Sequence, residues 1–477
     1  MSTKKSAIGG AKWTGTSKVG SSLLQFSQLV VLGRILSPEE FGLMSMVMVV
    51  IGFTQAYMDM GISNAIIHEQ NSTNRQLSSL YWLNILAGTM LFLILNLTSP
   101  LVQTFYKEPR LDDLVFLASF VFLITPIGQQ FYVLLQKELR FKILAIFELS
   151  SYAAGIIASI ILAVYGFGVY SLIWGQIISI LIRTLLTTYV GYKEHPPNFE
   201  FNYNEIKKHI NFGLYQMGDK TANYFSKNVD YLLIGRYFSP EILGAYTIAF
   251  QLIIVPVQKI NPILTRVAFP LFSKYQNKNE VLRKGYLKLS KFLTFISYPA
   301  LIFLAFTSHL IIPALFGKGW ELSAALVPIM VIIGLVRTLG NPVGSIYLAK
   351  GRADIGFYFN VAIALINLLA FWIAVQFSVY HVAWTFSIIN IFYFLAHRYI
   401  VDRLIESKWR WYIQPLWKNI LIAILSGMLV FILQYFLNFN QVVTLIISVL
   451  SMGIFYLGFQ ILFNLAYVKE IYNDYLK

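Results

Sequence analysis

The chain has 477 residues, 57% of them hydrophobic and only 12% charged, with a mean hydropathy of +0.64. That is too little charge to cover a soluble surface of this size, which excludes a soluble globular protein and points to a polytopic membrane protein. A formal net charge of +15 would suggest nucleic acid for a soluble chain, but the basic residues sit in short connections between apolar runs, so no nucleic-acid partner is expected.

The first residues, MSTKKSAIGGAKWTGTSK, are basic like a signal peptide. No cleavage-type ending follows the first apolar run, which predicts a retained first helix. Crossing a bilayer takes roughly 20 apolar residues. About fourteen such stretches follow: 12–35, 41–67, 77–99, 112–135, 143–165, 169–192, 209–236, 241–270, 286–306, 322–349, 355–376, 380–400, 417–437 and 441–466. The expected fold class is an all-α polytopic membrane protein of about fourteen transmembrane helices. No connection is long enough for a separate soluble domain, and cysteine is absent, so disulfides and thiolate metal sites are excluded.

Charge sets the direction of threading. With the N-terminus inside, the outward connections carry few basic residues: Arg34, Lys107, Arg110, Arg236 and Lys318. The inward ones carry many, including Lys137, Arg140, Lys142, Lys193, Lys207 and Lys208. The run SKYQNKNEVLRKGYLKLSK (273–291) adds more, as do Arg398, Arg403, Lys408, Arg410 and Lys418. This asymmetry predicts cytoplasmic termini.

Within the first span Thr14, Lys18, Ser21, Gln25 and Gln28 recur at steps of four and three, one face of a helix. The corner that ends it, LGRILSPEEFG (32–42), returns as IGRYFSPEILG (234–244). Ser37 fits an N-cap, Pro38 the first helical position and Glu40 the reciprocal partner of a capping box. Ser239 and Pro240 repeat the cap, but Ile242 replaces the box glutamate. Arg34 and Arg236 fit corner anchors that snorkel or meet the nearby glutamates.

The sixth span carries Gln176, Ser179, Arg183 and Thr187 at helical spacing. The seventh repeats the first span's stripe as Gln216, Lys220, Asn223, Lys227 and Asp230. The eighth holds Gln251, Lys259 and Arg266 around Pro256 and Pro262, and the tenth Arg337 before Asn341 and Pro342. The acids are fewer: Asp59, Glu148, Asp219 and Asp230. A charge at the bilayer centre costs roughly 2.5–3.5 kcal/mol on insertion scales, so such a face must line a hydrated cavity or meet a partner charge. The competing reading of any one residue is a structural pair, Lys220 with Asp59 or Lys227 with Asp230 or Asp219. Lys12 and Lys259 also fit snorkelling side chains. The collective positive excess favours a cavity for an anion, with diphosphate a natural candidate.

Six spans separate the two corners, an even number, so both halves enter the membrane the same way. That predicts two six-helix lobes related by an axis along the membrane normal. They comprise 1–205 and 206–400, with 401–477 an inner-face linker and two further helices that the repeat leaves unpaired.

The repeated pattern G-R-x-x-S-P-E-x-x-G resembles the polysaccharide-transporter branch of the multidrug/oligosaccharidyl-lipid/polysaccharide exporter superfamily. AIGGAKWTGTSKVGSSLLQF (7–26) and NPILTRVAFPLFSKY (261–275) resemble the same branch, and the similarity runs over the whole chain. Within it the chain is most similar to Wzx-type flippases of the colanic-acid and teichuronic-acid kind. The resemblance implies a V-shaped, two-lobed fold with alternating access, in the plasma (inner) membrane of a bacterium. It implies a polyprenyl-diphosphate-linked (undecaprenyl-type) oligosaccharide as cargo, moved from the cytoplasmic to the external leaflet.

Lys18, Arg183, Lys220, Lys227 and Arg337 are the expected diphosphate positions, and Gln25, Asn223, Lys259 and Arg266 complete the expected substrate-binding set. Membrane lipids are expected contacts, and polysaccharide polymerase and chain-length machinery are candidate partners. No catalytic residue, metal or cofactor is expected, and no G-x-x-x-x-G-K-[ST] loop for ATP is present. A proton or sodium gradient is a candidate driving force, with Asp59, Asp219 and Asp230 as coupling residues.

The runner-up is a drug/cation antiporter of the same superfamily, which would favour an acidic cavity and about twelve spans. A polytopic glycan polymerase or ligase would need a large external loop, and the outer connections are short. The six histidines show no metal-ligand spacing, and His68, His195 and His397 are expected in solvated inner connections. A non-transporting scaffold leaves the cationic stripe unexplained.

Overall fold

The computed structural model describes residues 3–58, 63, 66–67, 72–202, 220–221, 223–340, 342–437, 439–471 and 473. Asp59, His68, Gln216, Asp219 and Asn341 lie outside these described residues. Among them every regular element is a helix, as expected. The chain runs α1 (Thr3–Ile35), α2 (Pro38–Met58), α3 (Asn74–Tyr106), α4 (Leu111–Ser119), α5 (Val121–Lys137), α6 (Phe141–Val164) and α7 (Val169–Glu194). It continues through α8 (223–237), α9 (Pro240–Lys274), α10 (Asn279–Phe316), α11 (Glu321–Gly340) and α12 (Val343–Ala349). α13 (Ala353–Ala374), α14 (Val379–Leu404), α15 (Trp409–Phe436) and α16 (Gln441–Ile471) complete it.

Eleven helical rods among the described residues are long and apolar enough to cross a bilayer, α4–α5 and α11–α12 each forming one rod. The protein is a multi-pass membrane protein. The expected first, seventh and eighth spans fall on α1, on α8 with the residues before it, and on α9. None of these meets the same measure: the polar stripe dilutes α1, α8 as described is short, and in α9 only Pro240–Val255 registers as apolar.

Contacts divide the chain into two compact units, Met1–Gly244 and Ala245–Lys477. In the first, α1 runs parallel to α6. Ser17 Oγ donates to Glu148 Oε2 at 2.7 Å and Gln28 Nε2 to Ser159 Oγ at 3.2 Å, two bonds with the same sequence offset of 131. The register therefore holds over about three helical turns. α6 and α7 pack through small residues: a Cβ on Gly155 would lie 2.5 Å from the Gly175 carbonyl oxygen, and one on Gly175 2.6 Å from Ser159. Such close approach is how spans associate where lipid supplies no hydrophobic driving force.

The two repeated corners meet. Ser37 and Glu40 form the predicted capping box, with the Ser37 amide donating to Glu40 Oε2 at 2.6 Å and the Glu40 amide to Ser37 Oγ at 3.4 Å. At the second corner only the Ile242 amide bonds the Ser239 hydroxyl, at 3.4 Å, as the loss of the glutamate predicts. A Cβ on Gly42 would sit 1.7 Å from the Pro240 carbonyl oxygen, and one on Gly244 1.8 Å from that of Pro38. The glycine that closes each copy of the motif thus abuts the proline that opens the other. Arg110 fastens the first corner from outside the motif, donating to Glu39 at 2.5 Å and Glu108 at 2.7 Å.

In the second unit α10 is longer than the expected ninth span. Residues 279–285, read as part of a basic inner connection, are already helical. The reason is an apolar stripe, since Leu282, Tyr286, Ser290 and Leu293 recur at helical spacing and are all buried. The helices that the repeat leaves unpaired are not loosely attached. Asn419 of α15 donates to the Lys291 carbonyl at 3.2 Å and accepts from Gln460 and Asn464 of α16 at 3.1 and 3.0 Å. Tyr456 adds a 2.9 Å bond to the Phe295 carbonyl, so both helices are tied to α10 by buried amides.

Three residues expected in connections differ. His397 is only partly exposed: it lies inside α14, its ring stacked 3.9 Å from Phe359 and 3.0 Å from the Tyr347 hydroxyl. His195 is only partly exposed and lies 3.0 Å from Glu138. Arg398, read as a connection charge, is 1% exposed. Its ion pair with Asp402 and the flanking Tyr286 and Tyr412 rings explain its burial.

Candidate functional site

The polar face of α1 lies half against its neighbours and half open. Thr14, Ser21 and Gln28 are half-buried, whereas Lys18 and Gln25 are exposed. Beside Lys18, Ser17 is 2% exposed and reaches Glu148, whose other oxygen accepts from the Tyr132 hydroxyl of α5 at 2.6 Å. Arg183 of α7 is half-buried and within electrostatic range of Tyr132. Lys18, Arg183 and Glu148 therefore belong to one four-helix wall made by α1, α5, α6 and α7. Ser17 and Tyr132 went unread in the sequence, although Ser17 lies on the same face, midway between Thr14 and Ser21.

The second stripe begins at Lys220 and continues on α8. Lys220 and Asn223 are half-buried, Lys227 is exposed, and Asp230 is 2% exposed. Lys18, Lys220, Lys227 and Asp230 each take part in at least one polar, ring or electrostatic contact. Against α2 the helix is pinned by Thr221 donating to the Tyr57 hydroxyl at 2.7 Å. Tyr224 donates to the Val49 carbonyl at 2.8 Å, over the bare backbone of Gly52.

One residue around from Asn223 and Lys227, α8 turns Tyr224, Asn228 and Leu232 into an apolar fissure of about 500 Å³. Phe53 of α2 and Leu91, Leu95 and Phe105 of α3 line the rest. At its end the Arg236 guanidinium stacks 5.5 Å from the Phe105 ring, and its Nη1 is buried without a hydrogen-bond partner. A single helix thus carries cations on one side and an apolar trough on the next. That pairing suits a lipid with an anionic head.

In the second unit Arg337 donates from Nε to Asn390 at 3.0 Å and stacks over Phe250 and Phe386 at 5.7 and 5.2 Å. Lys259 and Arg266 lie within α9, but their side chains are outside the described part of the structure. Of the expected coupling acids only Asp230 is described. Glu138, Glu194 and His195 come close enough to share a cation, but Arg140 already donates to Glu194 at 2.7 and 2.5 Å and lies 3.5 Å from Glu138.

The family described as polysaccharide biosynthesis protein matches residues 31–325. The chain belongs to that family. It is 36% identical to the teichuronic acid biosynthesis protein TuaB of Bacillus subtilis, over 90% of this chain and 89% of that one. It is 33% identical to the lipopolysaccharide biosynthesis protein WzxC of Escherichia coli, over 87% of this chain and 85% of that one. Among solved structures, the inward closed conformation of the lipid II flippase MurJ superposes with a TM-score of 0.74 at 16% identity, covering 98% of this chain and all of that one. An inward-facing multidrug-resistance MATE family transporter, itself of the MOP superfamily, gives 0.61 at 12% identity over 81% of this chain and 96% of the other. The expected family is thereby found, and the chain shares its fold with those two transporters.

Proposed function

We propose that this polysaccharide biosynthesis family member is a flippase. It carries a polyprenyl-diphosphate-linked oligosaccharide from the cytoplasmic to the external leaflet of a bacterial plasma membrane, with both termini in the cytoplasm. The observation that carries this reading is the double character of α8, with Lys227 and Asn223 beside an apolar fissure. A diphosphate satisfies ammonium and guanidinium groups through charge-assisted bonds, and an isoprenoid tail needs an apolar wall. The relatives named for teichuronic acid and lipopolysaccharide biosynthesis support a role in making a cell-surface polysaccharide.

In this mechanism Lys18, Arg183, Lys220, Lys227 and Arg337 compensate the diphosphate, and Gln25 and Asn223 bond the first sugars. Lobes 1–205 and 206–400 rock to expose the head on the far side. Opening at the outer face requires Gly42 to leave Pro240 and Gly244 to leave Pro38. Asp230 is the proposed coupling acid, since a carboxylate buried in a span is held there by partners or by protonation.

Proteoliposomes loaded with labelled lipid-linked sugar test the reading. Lys220→Glu with Lys227→Glu should abolish leaflet exchange of the labelled lipid while the protein still inserts and purifies normally. Undiminished exchange in that double variant overturns the cation assignment. Exchange of a cationic dye but not of the lipid-linked sugar by the native protein would establish the antiporter reading instead.

A further inference from the structure

A second cationic pocket lies in the unit Ala245–Lys477, where the start of α10 meets the end of α14 and the connection into α15. Its volume is about 190 Å³. Arg398 forms its floor. That side chain is 1% exposed, pairs with Asp402 through Nε and Nη2, donates from Nη2 to Ser407 Oγ at 2.5 Å, and stacks 4.2 Å from the Tyr412 ring. Arg283 forms one wall, donating from Nη1 to the Glu406 carbonyl at 2.9 Å and stacking 5.3 Å from Trp411.

These contacts explain why both guanidinium groups are where they are. They leave donors over. Arg398 Nη1 and Arg283 Nε are buried without a hydrogen-bond partner, the Tyr286 hydroxyl is buried beside Arg398 and Tyr412, and all three side chains line this pocket. Buried donors without acceptors are rare in native proteins and costly, so their convergence on one small pocket calls for an acceptor-rich group. The one carboxylate in the lining, Glu280, is already engaged by Lys284 at 2.8 Å. An ion pair alone would account for Arg398 and Asp402 but not for the second arginine and the tyrosine turned to the same space.

We propose that this pocket binds one phosphate group, that of an anionic membrane phospholipid. A tetrahedral oxyanion offers acceptors in several directions at once, and guanidinium groups match it. The lipid source is favoured by the surroundings. Trp409 and Trp411 are 42% and 57% exposed beside the pocket, as amphipathic rings are at a membrane–water boundary. Exposed apolar side chains continue along α15 at Leu421, Leu425 and Met428, where acyl chains would lie. Basic pockets between the ends of spans are established seats for anionic headgroups. The site is independent of the cargo reading, since none of its residues belongs to the α1 or α8 stripes.

The test uses the delipidated full-length protein in neutral detergent, with native mass spectrometry and thermal unfolding as readouts. Phosphatidylglycerol, phosphatidylcholine and glycerol 3-phosphate serve as probes. One saturable phosphatidylglycerol should bind, raise the unfolding temperature and outcompete phosphatidylcholine. Arg283→Gln should weaken it about tenfold, the scale of one lost charge-assisted hydrogen bond. Tyr286→Phe keeps the ring packing while removing one donor, and should weaken lipid binding without lowering the stability of the lipid-free protein. Protection by glycerol 3-phosphate equal to that by the lipid, lost in the same two variants, would keep the phosphate site but assign it to a soluble ester. Phosphatidylglycerol binding that is absent, or unchanged in both variants, overturns the proposal.

Discussion

Glu148 accepts from the hydroxyls of Ser17 on α1 and Tyr132 on α5 while standing on α6, so one carboxylate joins three helices. Glu148→Ala leaves both hydroxyls to find other acceptors and should lower stability by about 1–3 kcal/mol. A detergent unfolding curve checks this, and Tyr132→Phe combined with Ser17→Ala should recover part of the loss. At the first corner, Arg110 holds the Glu108 carboxyl below the ordinary value of 4.5. A depressed value means that the clamp contributes above the unfolded carboxyl's range and is lost as pH falls through the folded one. Helical periodicity alone places Lys18, Lys220 and Lys227 on polar stripes. Periodicity could not reach the burial of Arg398 or the partial burial of His397. Both fall at the end of the expected span 380–400, and aromatic rings brought from distant segments shelter them.

At the scale of elements, local chemistry was the most legible. Ser37-Pro38-Glu39-Glu40 announces a capped helix start, and the box forms; Ile242 announces that its copy is weaker, and half of it forms. Ser37→Ala should therefore cost about 1 kcal/mol, and Ser239→Ala less, in paired thermal unfolding measurements. Helix ends outside the membrane were less legible, because the charge of the run 273–291 hides the buried positions Leu282, Tyr286 and Ser290. What fastens α15 and α16 was invisible as well: Asn419, Gln460 and Asn464 are scattered in sequence, and only folding joins them. Asn419→Leu should loosen both helices together, seen as faster hydrogen exchange along α15 and α16.

For the whole molecule, composition settled the solvent and the repeated corner pointed to a duplication, so the superfamily fold was within reach of the sequence. The fissure beside α8 was not, since it depends on how α2, α3 and α8 approach. Leu95→Trp, which fills the fissure, should slow translocation of a long-chain polyprenyl cargo more than that of a short-chain analogue. Equal slowing of both would remove the fissure from the pathway.

Two stretches that share the motif G-R-x-x-S-P-E-x-x-G press backbone against backbone at their closing glycines. Neither can accept even a methyl group at its closing glycine unless its twin retreats. Selection on either one is therefore selection on both.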